Sequence, residues 1–346
     1  MAEILAPKRK VFRDEYDPLE ELTDVELYQR FRFDRDSIRS LSRTLEPALL
    51  RGGQSPGRQL APHLQVCAAL RYLASNDFQL DIADSLHISQ SAVSRSVHSV
   101  VDALVEALDA LVEQAADFIH FSVDEEELRR RKEAFFQLAN FPNVIGIVDG
   151  THIRVSPPKE EEFAFVNRKR YHSLNVQVVC DHKGKITQLC GRWPGSAHDA
   201  WVLRQSHLWA YFEDGQNDDK GVILGDNGYP TRRWLLTPFL APATAAERSY
   251  NASLRTTRSR VEQLFGQWKR RFGILQHGAM RVDCGYAPKV IAACAILHNV
   301  AVERRLPELE EEGEDEHDDD DGLGEVAQDF DGDGVYFRRE FANLYF

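Results

Sequence analysis

The stretch Asn143-Val-Ile-Gly-Ile-Val-Asp149 decides how this chain is read. It is a short β-branched run ending on a carboxylate, which reads as a buried strand. Downstream, Val176-Gln-Val-Val-Cys180 and Ile186-Thr-Gln-Leu-Cys190 read as two more strands joined by the turn Asp181-His-Lys-Gly-Lys185. A helix is expected over about 198–212, a fourth strand at Gly221-Val-Ile-Leu-Gly225 and a fifth at Phe239-Leu-Ala. Two long helices, over 257–272 and 287–303, close the body. Three strands followed by alternating strand and helix imply an α/β fold with a mixed sheet covered by helices.

Upstream the texture is helical. From Asp24 to about Ala116 apolar residues recur three and four apart, as in Leu64-Gln-Val-Cys-Ala-Ala-Leu-Arg-Tyr-Leu73 and in Val97, Val100, Val101 and Leu104. Arg51-Gly-Gly-Gln-Ser-Pro-Gly57 interrupts this as a loop. Within 78–101 the pattern resembles a helix-turn-helix: small Ala83 lets two helices cross, Ser89 caps the second, and Ala92, Val93 and Val97 bury its inner face. Gln90, Ser91, Ser94, Arg95 and His98 then point outward with groups suited to base edges and phosphates. His87 stands where such a turn usually has Gly. A DNA-binding unit and a purely structural helical hairpin are both compatible with these residues.

The 346 residues carry a net charge of -13. The tract from Glu308 to Asp333 holds fifteen Asp or Glu and no Lys or Arg, so the remaining body is slightly basic, at +2. Such a run repels itself and cannot form a core, which makes 306–334 an acidic disordered linker. Inside it, Asp329-Phe-Asp-Gly-Asp-Gly334 with Glu340 fits EF-hand spacing, a pattern that arises readily in an acidic tract. The stripe Phe337, Phe341 and Tyr345 predicts a short amphipathic helix that docks on the body or on another subunit. Five cysteines without a CxxC fit a reducing compartment, and no apolar run has the length of a signal or a membrane span.

The carboxylates carry the chemistry. Asp149 ends the first buried strand, in Ile147-Val-Asp-Gly-Thr-His152, and Asp226 ends the fourth, in Leu224-Gly-Asp-Asn-Gly-Tyr-Pro230. Strand-end carboxylates are costly to desolvate unless they meet cations or donors. On the 257–272 helix, Glu262 borders the apolar stripe of Val261, Leu264, Phe265, Trp268 and Phe272, with Arg258 one turn before it and Gly266 one turn after. Gly266 is expected to thin the helix where a DNA backbone passes. Three such carboxylates can hold two Mg²⁺ for phosphodiester hydrolysis. Asp199, after Trp193-Pro-Gly-Ser-Ala-His198, either complements a helix dipole, ligates metal or orients the site. Arg168, Lys169 and Arg170, with Lys269, Arg270 and Arg271, are candidate phosphate contacts.

Together these segments resemble the PIF/Harbinger transposases and the host nuclease descended from them. The resemblance runs from about Asp24 to Glu303 and rests on Val148-Asp-Gly-Thr-His-Ile153, Asn167-Arg-Lys-Arg-Tyr-His-Ser-Leu-Asn175, Pro194-Gly-Ser-Ala-His-Asp199, Leu224-Gly-Asp-Asn-Gly-Tyr-Pro230, Val261-Glu-Gln-Leu-Phe-Gly266 and Leu297-His-Asn299. It implies a flexible arm over 1–23, a helical DNA-binding domain over 24–140, an RNase H-like catalytic domain over 141–305, then the acidic linker and a terminal helix over 335–346. It implies a DDE-type transposase or nuclease with Asp149, Asp226 and Glu262 as the catalytic triad. Metal ligation is expected from these three and from Asp199, through two Mg²⁺ or Mn²⁺ ions. The expected substrate is double-stranded DNA, cut at terminal inverted repeats and joined through 3′-hydroxyls to an A·T-rich target. A domesticated endonuclease without strand transfer and a non-catalytic DNA-binding host factor are the alternatives. A Myb-like partner protein, a homo-oligomer and a nuclear location with a cytoplasmic pool are also implied.

Overall fold

The computed structural model describes residues 16–50, 60–109, 124–213, 220–309 and 331–346. Residues 1–15 of the arm expected over 1–23, the expected loop at 51–59 and most of the acidic linker, with the start of the EF-hand-like segment, lie outside the described residues; the rest of that arm is not flexible chain but holds a helix at Pro18–Glu21, capped by Asp17 and with Leu19 buried. The chain divides into two compact units, 1–104 and 105–346.

The first unit is helical: α1 (Pro18–Glu21), α2 (Asp24–Phe31), α3 (Arg35–Leu49), α4 (Pro62–Ser75), α5 (Gln79–Ser85) and the start of α6 (Gln90–Asp109). Ile38, Leu41, Leu45 and Leu49 recur at helical spacing on α3 and are buried, and α3 packs on α4, which buries Val66, Leu70 and Leu73. Burial of these stripes, rather than propensity, is what holds such short helices. Between α5 and α6, His87 adopts the left-handed conformation at φ 56°, doing what Gly does at little cost to an imidazole. Ser89 Oγ accepts from Ala92 N at 3.1 Å, and Ala83, Val93 and Val97 are buried. Gln90, Ser91, Arg95 and His98 are exposed, and Ser94 is half-buried.

The second unit runs α7 (Glu125–Ala139), β1 (Val144–Arg154), a 3₁₀ turn (Glu162–Phe165), β2 (Ser173–Cys180), β3 (Ile186–Pro194), α8 (Asp199–Arg204), α9 (His207–Glu213), β4 (Val222–Leu224), β5 (Leu235–Leu236), α10 (Ala245–Arg271), α11 (Ala287–Glu303) and α12 (Gly332–Tyr345). One five-stranded mixed sheet has the order β3-β2-β1-β4-β5. β1, β2 and β3 pair antiparallel, whereas β4 and β5 continue parallel to β1. β2 is buried along its whole length, as a central strand covered on both faces must be. Ile145, Val148, Val179 and Ile223 meet Leu203, Leu208, Phe212 and Trp234 in the core, while α7 and α10 pack on β1 and α11 on β3.

Some expectations are refined by backbone chemistry. The helix expected over 198–212 is two, because at Ser206 the hydroxyl turns back to the Leu203 carbonyl at 2.7 Å. The fifth strand is Leu235–Leu236 rather than Phe239-Leu-Ala. Phe239 has its amide and carbonyl taken by the Asn251 side chain, at 2.9 and 2.8 Å, so it has no ladder to join. α10 begins at Ala245, twelve residues before the expected start, under a capping box between Thr244 and Glu247. The Leu297-His-Asn299 segment is a clamp: His298 Nε2 meets the Gly184 carbonyl at 2.9 Å, and the Asn299 amide grips Ile186 N and O, each at 2.8 Å. The terminal helix docks on this unit, with Phe341 stacked on Phe141 at 5.7 Å. Among the described residues no helix is long and apolar enough to cross a membrane.

Candidate active site

Strand register brings the first two carboxylates together. Ile147 on β1 pairs with Leu224 on the parallel strand β4. Asp149 lies two residues beyond the one, and Asp226 two residues beyond the other. The chain thus delivers both at the same level, where β4 ends beside β1; Asp226 lies just past its strand, but Asp149 lies inside β1 and not at its end as expected, because Gly150–Arg154 continue the ladder with β2.

Asp199 joins them from the start of α8. A Cβ added to Gly150 would lie 2.5 Å from Asp199 Oδ1, and one added to Gly228 would lie 3.2 Å from Asp226 Oδ1 and 3.8 Å from Asp199 Oδ2. Asp199 therefore sits between the glycine after Asp149 and the glycine two beyond Asp226. Any side chain at Gly150 would push it away. Asn175, on buried strand β2, fixes Asp199 by donating from Nδ2 to Oδ1 at 2.8 Å, and also donates to Ala197 O at 2.8 Å. Asp149 Oδ1 accepts from Gly150 N at 2.9 Å, and Asp226 Oδ1 from Gly228 N at 3.0 Å.

Electrostatics reports the same convergence. Burial lifts the Asp149 carboxyl to about 7; Arg258 opposes the rise, and Asp226 and Asp199 add to it. Burial also lifts Asp199, against the Asn175 hydrogen bond, with Asp226 reinforcing it. Arg258 Nη2 meets Asp149 Oδ2 at 2.8 Å. Burial pulls its pKa down, but Asp149, Asp226 and Glu262 more than offset this and hold it above the ordinary arginine range.

Glu262 is exposed on α10, and its charge acts on Arg258. Among the described residues no three His, Cys, Asp or Glu side chains stand grouped as ready metal ligands. The donor set nevertheless suits a hard divalent cation: oxygen ligands only, half-buried, mutually repelling, with a guanidinium as the counter-charge now at Asp149. Asp149, Asp226, Asp199 and Glu262 are the residues that could hold it.

The basic candidates separate. Arg168, Lys169 and Arg170 are exposed, and Arg168 acts on Asp199. Lys269 and Arg270 are half-buried. Arg271 is buried and donates from Nη2 to Pro307 O at 2.8 Å, so it anchors the segment after α11 instead of facing solvent. The space at Gly266 is taken by Arg270, whose Nη2 would lie 3.0 Å from an added Cβ. Asn175 and Gly150 were not among the sequence candidates. Asn175 and Gln177 are both buried amides on β2, and only the contact with Asp199 tells them apart.

Residues 148–299 match the family model described as DDE superfamily endonuclease. The Mus musculus protein named Putative nuclease HARBI1 is 37% identical over 311 residues, spanning 86% of this chain and 86% of that protein. Its Homo sapiens counterpart is 37% identical over 290 residues, spanning 83% and 80%. The Arabidopsis thaliana protein named Protein ALP1-like is 25% identical over 273 residues, spanning 75% and 65%. No solved structure matches the chain. The chain belongs to the PIF/Harbinger family and carries the DDE endonuclease domain of that superfamily, whose members generally use divalent metals.

Proposed function

We propose that this nuclease cuts DNA phosphodiester bonds at the edge formed by Asp149, Asp226 and Asp199, with Glu262 completing the set from α10. The observation that carries the reading is the β1–β4 register, which aligns Asp149 with Asp226, together with the insertion of Asp199 between Gly150 and Gly228. The strand order and the antiparallel first three strands support an RNase H-like classification of this unit.

Two Mg²⁺ or Mn²⁺ ions bound by these carboxylates would supply an activated nucleophile and charge stabilisation at phosphorus. The chain contributes the rest. Burial and mutual repulsion make the carboxylates costly to keep charged without a cation, which favours binding of one. Asn175 and the Gly150 and Gly228 amides orient individual oxygens, so little rearrangement is needed at those atoms. Arg258 neutralises Asp149 when no cation is present. The exposed Arg168-Lys-Arg170 run lies where it can hold a phosphate backbone.

In this reading the α5–α6 pair is a helix-turn-helix that offers Gln90, Ser91, Ser94, Arg95 and His98 to DNA. The exposure of four of these five side chains supports it. Cutting at terminal inverted repeats, joining to an A·T-rich target, assembly as a homo-oligomer, help from a Myb-like protein and action in the nucleus belong to the same proposal. The Asp149–Arg258 ion pair favours a second reading, a DNA-binding factor with structural carboxylates. Nicking of supercoiled plasmid by the full chain in Mg²⁺ or Mn²⁺ separates the two. The nuclease reading expects nicking that is lost in Glu262→Gln while DNA binding stays near normal. Binding without product in either metal supports the second reading.

A further inference from the structure

A buried donor with no hydrogen-bond partner follows the turn that carries Asp226. Tyr229, three residues after Asp226, packs into the core with Ile145, Val148, Val179 and Leu203 and is 2% exposed. Gly225 makes room for it: a Cβ there would lie 3.1 Å from the ring Cδ2 and 3.3 Å from the Tyr229 Cβ. The ring is thus wedged against the turn that carries Asp226. Its hydroxyl is buried and makes no hydrogen bond. Buried tyrosine hydroxyls normally find a partner, because an unmade hydrogen bond forfeits solvation without compensation.

Acceptors are close in electrostatic terms. After burial itself, Asp199 acts most strongly on this hydroxyl, followed by Asp149 and Asp226, all raising its pKa well above the ordinary tyrosine range. It therefore stays protonated and is available only as a donor toward them. Asp199 Oδ1 is engaged by Asn175, Asp149 Oδ2 by Arg258, and Asp226 Oδ1 by Gly228 N. Asp199 Oδ2, which would lie 3.2 Å from a Cβ at Gly150 and 3.8 Å from one at Gly228, is the Asp199 oxygen that reaches toward Gly228, next in sequence to Tyr229.

We propose that Tyr229 is a positioning residue of the carboxylate site: its hydroxyl donates to Asp199 Oδ2 once a divalent cation takes the place of Arg258, and with Asn175 it fixes Asp199 as a fourth carboxylate facing the ion. This rests on the nuclease reading. A cation removes the repulsion among the three carboxylates, so Asp199 can be drawn in and held by one neutral donor on each oxygen. Neutral donors suit this role because they orient the carboxylate without competing for its charge.

The test is calorimetric titration of Mn²⁺ into the full chain, for wild type, Tyr229→Phe, Asp199→Asn and the double variant. Thermal unfolding in EDTA and plasmid nicking are measured alongside. Tyr229→Phe should unfold in EDTA at or above the wild-type temperature, since it removes only an unpaired hydroxyl. It should bind Mn²⁺ about 10–100-fold more weakly, with kcat lowered and KM for DNA unchanged. In the Asp199→Asn background the same change should have no further effect on Mn²⁺ affinity. Wild-type Mn²⁺ affinity in Tyr229→Phe, an independent effect in the double variant, or earlier unfolding in EDTA each overturns the assignment. If wild type nicks and binds Mn²⁺ while Tyr229→Phe matches it, only the Tyr229 role falls. If wild type does neither, the nuclease reading falls and takes this role with it.

Discussion

Arg258 Nη2 stands 2.8 Å from Asp149 Oδ2, with both side chains only 16% exposed. Breaking one side of such a pair leaves a desolvated charge behind, at a cost of about 3–5 kcal/mol. Arg258→Ala should lower metal-free stability by up to that order in urea unfolding above pH 7, where Asp149 is ionised beside Asp226 and Asp199, and by less below it, where its carboxyl takes up a proton. Mn²⁺ should then stabilise the variant more than wild type, since the cation meets no competitor at Asp149. Equal metal-free stability in the two proteins would show the pair to be energetically idle.

Gly150 and Gly228 flank Asp199 unequally: a Cβ added at the first would lie 2.5 Å from its Oδ1, and at the second 3.8 Å from its Oδ2. The first distance requires a shift and the second does not. Gly150→Ala should therefore reduce nicking by about 100-fold, as a displacement near 1 Å at a reacting centre does. Gly228→Ala should be milder, with contact chiefly to Asp226 at 3.2 Å. Steady-state nicking of the two variants checks the order, and the reverse order contradicts the placement of Asp199.

The pH dependence of stability in EDTA has a defined sign. Folded Asp149 holds its proton up to about 7 because it is buried, whereas an unfolded aspartate releases it near 3.8. The stability it contributes is complete below about pH 4, is lost as pH rises to about 7, and changes no further above that. His298 works in the opposite sense: burial lowers it from 6.5 to about 4, so its contribution is present above 6.5 and is lost as pH falls to about 4. Comparison with Asp149→Asn cancels the histidine. Wild type should lose urea stability relative to that variant between about pH 4 and pH 7, and parallel curves across that window would contradict the assignment.

For DNA binding, the exposed and buried arginines predict different outcomes. Replacing Arg168, Lys169 and Arg170 by Ala should flatten the slope of log K against log salt by up to about 3, near 0.9 per phosphate contact. Arg271→Ala should leave that slope unchanged and instead lower the melting temperature, because this guanidinium is 4% exposed and holds Pro307. A salt slope that responds to Arg271 and ignores the 168–170 run would reverse the assignment of the basic surface.

What was legible in the sequence follows from the physics of each feature. The apolar runs Val144–Val148 and Val222–Leu224 announced buried strands because β-branched runs are local signals, which put Asp226 just past its strand, whereas β1 runs on to Arg154 through pairing with β2 that no local signal shows. Pairing between β1 and β4 is not local, so their shared level appeared only in the register. The start of α10 was missed because Ala245–Tyr250 has little apolar stripe and is held by a capping box instead. Leu235–Leu236 was too short to show a period. The Arg258 ion pair spans residues far apart in the chain, and the Asn175 contact depends on a loop returning from β3. Neither could be read from spacing along a single element.

The account turns on whether Asp149 and Asp226 jointly receive a divalent cation. Anomalous diffraction from crystals of the full chain soaked in Mn²⁺ measures this directly. The account predicts a manganese peak coordinated by both carboxylates, with the Arg258 guanidinium moved off Asp149. No peak there at saturating Mn²⁺, with the Arg258–Asp149 pair still closed, would contradict it.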